Sequence, residues 1–313
     1  MAEHHYPFAL KPVGGAHSLA HVRNAVASLG SEGSSELIDA GWVPADVLFP
    51  QTLILLATQP RAAAEQETSE RGNHSAVAGG VWVRERLTVH RPVRIGEPFV
   101  VEGEIARRYS RKGRQYSVST SKTRSEQAAP LVTNCTTGLV RYRADPSLAD
   151  TETGRTEAAL PHTGPDWESA VQNPAVPALL SAREGDSYPG PSCEVTLEMM
   201  RERDGGRNAN PIHTEPEQAH RAGLAAPIAG GAHVFGFAQA LLMRAFGAEV
   251  LLHGAHIDVR WRAPVHAGQC VTANAKVSKV TADRIVLEFR VERDGIVAML
   301  GSAVVPLPAQ PKA

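Results

Sequence analysis

The second half of the chain alternates between apolar and polar residues over several short stretches. From 284 to 291 every second residue is apolar, and this period is typical of antiparallel strands with one buried face. Similar stretches follow a shared turn in each half of the chain. The predicted strands are Phe99–Ala106, Gln115–Thr123 and Val132–Arg141 in the first half, and Val271–Val277, Arg284–Val291 and Ile296–Val305 in the second.

A helical period precedes the strands of the second half. Apolar residues at helical spacing predict a helix from Gly230 to Phe246, and Gly247 suits a left-handed C-terminal cap. A weaker pattern predicts a counterpart in the first half, from about Leu48 to Ala64 with Pro50 near its start. A long apolar helix followed by antiparallel strands suggests a curved sheet wrapped around that helix.

The two halves share one turn sequence. Pro92-Val93-Arg94-Ile95-Gly96 recurs as Pro264-Val265-His266-Ala267-Gly268, and the same series of strands follows each copy. This supports an internal duplication, although such turns also occur between unrelated strands. The stretch 146–187 is rich in Pro, Thr, Glu, Asp and Gly and is predicted to be a connector, with one short helix near 166–171. The expected domains are therefore 1–145 and 188–313.

Composition narrows the classes of protein. The 313 residues, 42% of them hydrophobic, are enough for two folded domains. A net charge of −1 gives no sign of nucleic-acid binding. Three widely spaced cysteines favour a reducing cytoplasm over a disulfide framework. We expect no signal peptide and no membrane association, since the longest apolar run, near 53–57, is too short to cross a bilayer.

The candidate chemistry lies in the turn Asn208-Ala209-Asn210-Pro211-Ile212-His213. Pro211 restricts the residue before it to extended geometry, which marks a turn. The sequence 214–217 is then predicted to form a capping box that opens a short helix ending at Gly223. His213 would therefore be held by local backbone structure. A single histidine beside a helix cap is more often an ordinary surface or core residue, so this turn alone does not establish a site.

The start of the predicted long helix adds a second feature. Gly230 and Gly231 would let backbone N–H groups approach a ligand closely at the positive end of the helix dipole. Glycine within a helix costs about 1 kcal/mol relative to alanine, so adjacent glycines need a reason. Close packing of helix on sheet is the alternative reason. A histidine near such amides is suited to chemistry beside a polarised carbonyl.

The stretch from 196 to 231 resembles the MaoC-like family of (R)-specific enoyl-thioester hydratases and dehydratases. The family's motifs are Asp-x-Asn-Pro-x-His and Gly-x-x-x-Pro-Ile-x-x-Gly. The matching residues are Asn210, Pro211, His213, Gly223, Pro227, Ile228 and Gly231, and Arg260 to Gly268 resembles the later strand turn. The resemblance implies an α+β fold of the double hot-dog type, with the active site at the seam. The first half resembles the degenerate copy of such proteins, which would form a wall for a bulkier acyl group.

The resemblance also implies roles for individual residues. His213 would be the general base, Asn208 would orient water, and the Gly231 N–H would bind the thioester oxygen. Asn210, Gly230 and His233 would contribute to substrate binding. The implied partner is an acyl thioester on coenzyme A or a carrier protein. We expect no cofactor and no metal, and a homodimer is consistent with the fold.

The chain departs from the family at Asn208, where the family has its catalytic aspartate. Three interpretations stay open. His213 is the only base and hydration continues, the site performs another reaction such as isomerisation or cyclisation, or the protein binds an acyl thioester without turnover. Loss of a general base typically costs about 10²–10⁴-fold in rate, which favours the first interpretation. Asp204 could in principle supply a substitute carboxylate.

Other candidates have weaker support. His253 and His256 have no metal-binding spacing. The basic residues from 107 to 114 could contact phosphates, but an ordinary solvated hairpin explains them better. A thioesterase of the same fold would need a carboxylate on the long helix, and Gly230–Phe246 has none.

Overall fold

The computed structural model describes residues 7–51, 54, 81–140, 142–151, 177–204 and 210–307. Within these residues, ten strands form one antiparallel sheet in the order β1-β3-β4-β5-β2-β7-β10-β9-β8-β6. The strands are β1 Phe8–Gly15, β2 Val81–Val89, β3 Phe99–Arg111, β4 Arg114–Ser125, β5 Pro130–Leu139, β6 Ser187–Val195, β7 Ala255–Trp261, β8 Gln269–Val280, β9 Arg284–Arg293 and β10 Ile296–Pro306. The six predicted strands correspond to β3, β4, β5, β8, β9 and β10, whereas β1 and β6 were not predicted.

The described helices are mostly short. They are α1 Leu19–Ala27, α2 Glu36–Asp39, α3 Ala45–Leu48, α4 Pro177–Ser181, α5 Leu197–Asp204, α6 Pro216–Arg221 and α7 Gly231–Phe246, with 3₁₀ turns at Gly30–Glu32 and Pro211–His213. Of these helices, none combines the length and apolar character needed to cross a membrane. The predicted helix near 166–171 lies outside the described residues. Within the predicted connector, 177–181 is helical and β6 begins at Ser187, and the domain boundaries stay a prediction.

The two halves join through strands β2 and β7. These strands pair antiparallel, with Arg84 opposite Arg260 and Val89 opposite Ala255, so one sheet runs through both halves. This edge-to-edge junction of two similar half-sheets matches the expected double hot-dog arrangement and α+β class. The junction is made within one chain, so it does not require a second copy. The homodimer stays a prediction.

Helix α7 packs on the inner face of the second half-sheet. Its Phe235 ring lies 5.8 Å from that of Phe289 on β9, and Phe235 is fully buried. The helix ends as predicted at Phe246. Gly247 has φ of +98° and ψ of 156°, so its φ is positive as expected while its ψ is extended and not left-handed helical. Apolar burial of this helix forms the main core of the second half.

In the first half, helix α3 occupies the position that α7 has in the second. The backbone N–H of Val43 bonds to the Val93 carbonyl at 2.9 Å, just as Ala229 bonds to Val265 at 2.8 Å before α7. Pro50 has no N–H, and the Asp46 carbonyl that precedes it by four residues accepts from Arg203 at 3.1 Å. The counterpart helix was predicted at 48–64. The described helix begins earlier, at Ala45, and most of the predicted length lies outside the described residues.

A buried polar network ties the halves together. Asp46 on α3 is 1% exposed and forms an ion pair with Arg203 on α5. The Gln239 amide on α7 also donates to the Asp46 carboxylate at 3.1 Å, and the Asp46 N–H donates back to the Gln239 oxygen at 2.9 Å. This network fixes the first turn of α3 against the second half.

The predicted capping box at 214–217 is wrong. Helix α6 begins at Pro216, its N-cap is Glu215, and none of the described side chains caps it. Proline fits the first helical position because its fixed φ suits the helix and it has no N–H to leave unpaired. The proline therefore sets the start of the helix one residue later than a Thr214 cap would require.

Candidate active site

The turn that carries His213 is a short 3₁₀ segment. Asn210 is extended, with φ of −141° and ψ of 98°, and its carbonyl accepts from the His213 N–H at 3.1 Å. Ile212 is buried in a small apolar cluster with Ala219, Leu224 and Ile228. The turn is therefore anchored on both sides, and the histidine has a fixed position on the backbone as the sequence predicted.

The ring of His213 is oriented by one short hydrogen bond. Its Nδ1 lies 2.7 Å from the carbonyl oxygen of Ile228. Since a carbonyl only accepts, Nδ1 must carry the proton, and Nε2 is left with its lone pair. Nε2 faces Gly230, where a β-carbon would lie 3.7 Å from it. The imidazole thus presents a proton acceptor beside the start of helix α7.

The electrostatic environment keeps this imidazole neutral. Burial lowers the pKa of His213 below its ordinary value, while the bond to the Ile228 carbonyl and the charge of Asp204 act in the opposite direction. A lowered pKa favours the unprotonated ring at neutral pH. His213 is therefore available as a base and not as an acid in the resting protein.

The segment before α7 connects the histidine turn to the repeated Pro-Val turn. The Ile228 N–H donates to the Ile212 carbonyl at 3.3 Å, and the next residue, Ala229, donates to Val265 at 2.8 Å. His266 adds a bond from Nδ1 to the Ala226 carbonyl at 3.2 Å. The two motifs singled out in the sequence are therefore in direct contact, and Gly230 lies beside His213 at the start of α7.

Two tryptophans explain the second of the paired glycines. A β-carbon on Gly231 would lie 2.8 Å from the Trp82 ring and 2.9 Å from the Trp261 ring. The Trp261 indole N–H donates to the Gly231 carbonyl at 3.1 Å, and the two indole rings are 5.6 Å apart. Gly231 opens α7, so its own N–H has no partner within the helix. Close packing and an available amide therefore coincide at this residue.

His233 lies deeper in α7 than the paired glycines. It is 1% exposed, its Nε2 donates to the Ser28 carbonyl at 2.8 Å, and its ring stacks on Phe237. Burial, together with the nearby charge of Arg203, lowers its pKa to about 3. Its Nδ1 atom has no hydrogen-bond partner among the described residues. Any contact of His233 with a substrate would have to use that nitrogen.

Of the two asparagines in the turn, the structure describes Asn210 but not Asn208. The side-chain oxygen of Asn210 is buried and has no partner among the residues the structure describes. Asp204 ends helix α5, is half-buried, and lies near enough to raise the pKa of His213.

The remaining sequence candidates have other partners. His253 pairs with Glu249 at 2.6 Å, and His256 bonds to Thr88 at 3.0 Å across the seam. Within the described ranges, no group of three or more His, Cys, Asp or Glu side chains could hold a metal ion. In the basic hairpin, the Arg107 guanidinium stacks over the Tyr109 ring at 4.9 Å. These contacts are typical of a solvated hairpin and of ordinary packing.

Sequence reasoning missed Trp82 and Trp261. Trp261 stands just before the repeated turn, in Val259-Arg260-Trp261-Arg262, where alternation would have placed it on the same face as the buried Val259. Trp82 is brought to that site from the first half, and a strand irregularity between Trp82 and Arg84 changes its register. Only the pairing of β2 with β7 reveals that both rings meet at Gly231.

Comparison with known proteins finds a family whose model matches part of the chain. Residues 193–294 match the family model for the MaoC like domain. None of the curated proteins compared with the chain matches it significantly. The matched stretch contains the histidine turn, the paired glycines and the repeated turn.

Solved structures share the fold across the whole chain. A MaoC-like dehydratase is 17% identical, with 96% of this chain and 98% of that one aligned and a TM-score of 0.66. A Mycobacterium tuberculosis protein described as having a double hot-dog fold is 16% identical over 95% and 96% of the two chains, with a TM-score of 0.59. A proposed oleoyl thioesterase from Lactobacillus plantarum is 15% identical over 96% and 98%, with a TM-score of 0.55. Residues 193–294 therefore resemble a MaoC like domain, and the chain shares the double hot-dog fold of these structures.

Proposed function

We propose that the protein is a hydro-lyase that adds water to a 2-enoyl thioester or removes it from a 3-hydroxyacyl thioester. The observation that carries the proposal is the position of His213 Nε2, an unprotonated nitrogen that faces Gly230, the N-cap of helix α7. Hydration of an enoyl thioester needs a base for water and a stabiliser for the thioester oxygen, and this site offers both. The match to the MaoC like domain supports the same reaction class.

In the hydration direction, His213 Nε2 accepts a proton from water as the water oxygen bonds to C3. The C2–C3 double bond opens, and its electrons move onto C2 and the thioester oxygen. The imidazolium then returns the proton to C2 on the same side. Water is the only reactant added, so the reaction balances without a cofactor, and dehydration follows the same steps in reverse.

The negative charge that develops on the thioester oxygen would be stabilised by the start of α7. The Gly231 N–H lacks an intrahelical partner, and the helix dipole adds to its positive character. One such donor is typically worth about 3 kcal/mol of transition-state stabilisation. Gly230 keeps the path between this amide and His213 free of a side chain.

Asn208 would orient the attacking water in place of the family's aspartate. An asparagine cannot accept the proton, so His213 carries the acid–base chemistry alone. The charge of Asp204 supports the imidazolium while it exists, because it raises the pKa of His213. The protein would then act more slowly than a family member with both groups.

Incubation with 2-butenoyl-CoA tests the proposal, with the loss of conjugated thioester absorbance as the readout. We expect hydration by the wild type and a loss of at least about 10²-fold in His213→Ala. His266→Ala is the matched control, since His266 belongs to the same segment but bonds to Ala226 instead of facing Gly230. Release of free thiol would indicate a thioesterase, and saturable binding without turnover would indicate a non-catalytic binding protein.

A second substitution tests the assigned alignment of the motif. Asn208→Asp restores the family's carboxylate, so we expect faster hydration of the same substrate. A correctly folded Asn208→Asp protein with unchanged or lower activity would contradict the role given to position 208.

A further inference from the structure

The inner face of the sheet changes character at the seam. One row of directly opposed residues crosses the sheet from β9 to β4, and opposed residues on antiparallel strands share a face. On the second-half side the row is apolar, and Phe289 in it contacts helix α7. On the first-half side it is polar. The row is Phe289, Gly301, Val259, Glu85, Thr136 and Ser119.

The next row repeats this change. It runs through Leu287, Ala303 and Ile257 in the second half and reaches Asn134 and Ser121 in the first, by way of Leu87. The two halves are related by the pairing of β2 with β7, so the polar positions of the first half correspond to apolar positions in the second. A sheet that only packed on a helix would keep such positions apolar in both halves.

These polar side chains are not a solvent-exposed surface. Glu85 and Asn134 are 0% exposed, and Ser119, Ser121 and Thr136 are at most 7% exposed. Buried polar atoms normally find hydrogen-bond partners, and each that does not needs an explanation. On this face, one oxygen of Glu85 and the Thr123 hydroxyl have no partner among the described residues.

Glu85 combines donor and acceptor capacity. The Asn134 amide donates to one carboxyl oxygen at 3.0 Å, and the same amide donates to the Phe49 carbonyl at 3.1 Å. Burial raises the pKa of Glu85 to about 8, against the lowering effect of its bonds to Thr136 and Asn134. At neutral pH the carboxyl is therefore mostly un-ionised and able to donate a hydrogen bond as well as accept one.

The polar row lies within reach of the candidate active site. Glu85 is opposite Val259, and Trp261 follows on the same face two residues later, or about 7 Å along the strand. Trp261 and Trp82 contact Gly231, where the thioester carbonyl would bind. An acyl group that extends from Gly231 past these two rings would reach Glu85 a few bonds beyond the reacting carbons.

We propose that the inner face of the first half binds an acyl group bearing a hydroxyl, and that Glu85 and Thr136 recognise this hydroxyl. The inference rests on the proposed function, since it assigns the acyl group of the same substrate. A hydroxyl donates and accepts one hydrogen bond each, which suits an un-ionised carboxyl beside a threonine. The row Glu85, Thr136 and Ser119 contains no cation to pair with an anionic group, and an un-ionised carboxyl does not favour a cationic one, so a neutral group suits this site best. A plain alkyl chain would offer nothing to the Glu85 oxygen that has no partner among the described residues.

Binding is measured first, because it does not depend on turnover. Five ligands are titrated calorimetrically into the full-length protein. They are octanoyl-CoA and four derivatives, each of which carries a single hydroxyl on a different one of the four distal carbons. We expect at least one hydroxylated derivative to bind at least tenfold more tightly than octanoyl-CoA. In Thr136→Val and Glu85→Met this preference should fall to less than threefold, whereas Glu85→Gln, which still donates and accepts, should retain most of it.

The matched control is Thr137→Val. Thr137 is as buried as Thr136 but lies opposite Arg84, on the other face of the same strand. It should keep the wild-type preference. Unfolding temperatures show which variants fold; if Glu85→Met does not, Thr136→Val against Thr137→Val decides the question.

The outcomes separate this inference from the proposed function. Tighter binding of a hydroxylated derivative, lost in Thr136→Val and kept in Thr137→Val, supports the inference even if no enoyl-CoA is hydrated. Equal or weaker binding of every hydroxylated derivative overturns it, even if 2-butenoyl-CoA is hydrated. A wild-type preference that survives both Glu85→Met and Thr136→Val also overturns it, and limits Glu85 to holding Asn134.

Discussion

Replacing Gly231 with alanine tests how the two halves meet at the candidate site. The added β-carbon would lie 2.8 Å from the Trp82 ring and 2.9 Å from the Trp261 ring, closer than a β-carbon normally approaches any atom. Overpacking of this kind costs about 1–3 kcal/mol. Displacing Trp261 would also weaken its bond to the Gly231 carbonyl, worth about 1 kcal/mol. Alanine's better helix propensity returns at most about 1 kcal/mol, so we expect a net loss near 2 kcal/mol.

Urea unfolding of wild type, Gly231→Ala and Gly230→Ala measures this difference. Gly230 has φ of −62° and ψ of 152°, which alanine tolerates, and the nearest atom to an added β-carbon would be His213 Nε2 at 3.7 Å. We expect Gly230→Ala to lower the free energy of unfolding by less than about 1 kcal/mol, a typical cost for alanine at an N-cap. The same variant should lose hydration activity, because its methyl group covers His213 Nε2. In a Trp82→Ala background, the loss of unfolding free energy caused by Gly231→Ala should be smaller by at least about 0.5 kcal/mol. An unchanged unfolding midpoint in Gly231→Ala, or no coupling to Trp82, would refute the packing described at this junction.

Three further predictions concern charge and protonation. Arg203→Met leaves Asp46 buried without its cation and should lower the free energy of unfolding by about 3–5 kcal/mol. Lys276→Ala breaks a pair with Glu288 that is exposed on both sides, so it should lower the free energy of unfolding by less than about 1 kcal/mol. Equal losses in urea unfolding would argue against the inter-half network. His233 has a pKa of about 3 when folded and 6.5 when unfolded, so the unfolded chain binds the extra proton between these values. The contribution of neutral His233 to the free energy of unfolding is therefore complete above pH 6.5 and decreases at lower pH, by about 2 kcal/mol at pH 5. An equally large loss of stability in acid in the His233→Gln variant would contradict this prediction. Because the pKa of His213 is lowered, kcat/KM for hydration should stay high below pH 6.5 and fall only as pH drops through the lowered value; an acid limb above pH 6.5 would oppose this assignment.

The strands and the long helix could be predicted from local sequence. Alternation identified β9, and helical spacing identified α7 to within one residue at its start, because a period of two or of 3.6 is imposed by one buried face. The repeated Pro-Val turn indicated the duplication for a similar reason, since proline and glycine restrict the backbone wherever they occur. The short strands β1 and β6 were missed because they lie at the edges of the sheet, and most of their residues are at least partly exposed.

The sequence also determined the chemical groups of the candidate site. The Asn-Pro-x-His turn and the paired glycines stand within about twenty residues of each other, so local order already predicted a base near a helix start. The tautomer of His213 could not be predicted, because it depends on a hydrogen bond to Ile228 that forms when the chain folds back. The role of Asn208 stays a prediction.

What only the tertiary structure decided is which face of each strand is buried and what it meets. In β4, Ser117, Ser119, Ser121 and Thr123 alternate with other residues in a pattern that, taken alone, indicates a solvent-exposed face. The structure buries Ser119, Ser121 and Thr123, because the register of β4 with β5, and of β2 with β7, turns them to the inner side beside Glu85. Strand alternation establishes only that the two faces of a strand differ. Which face is buried depends on pairing with other strands, and the pairing of β2 with β7 joins residues more than a hundred positions apart.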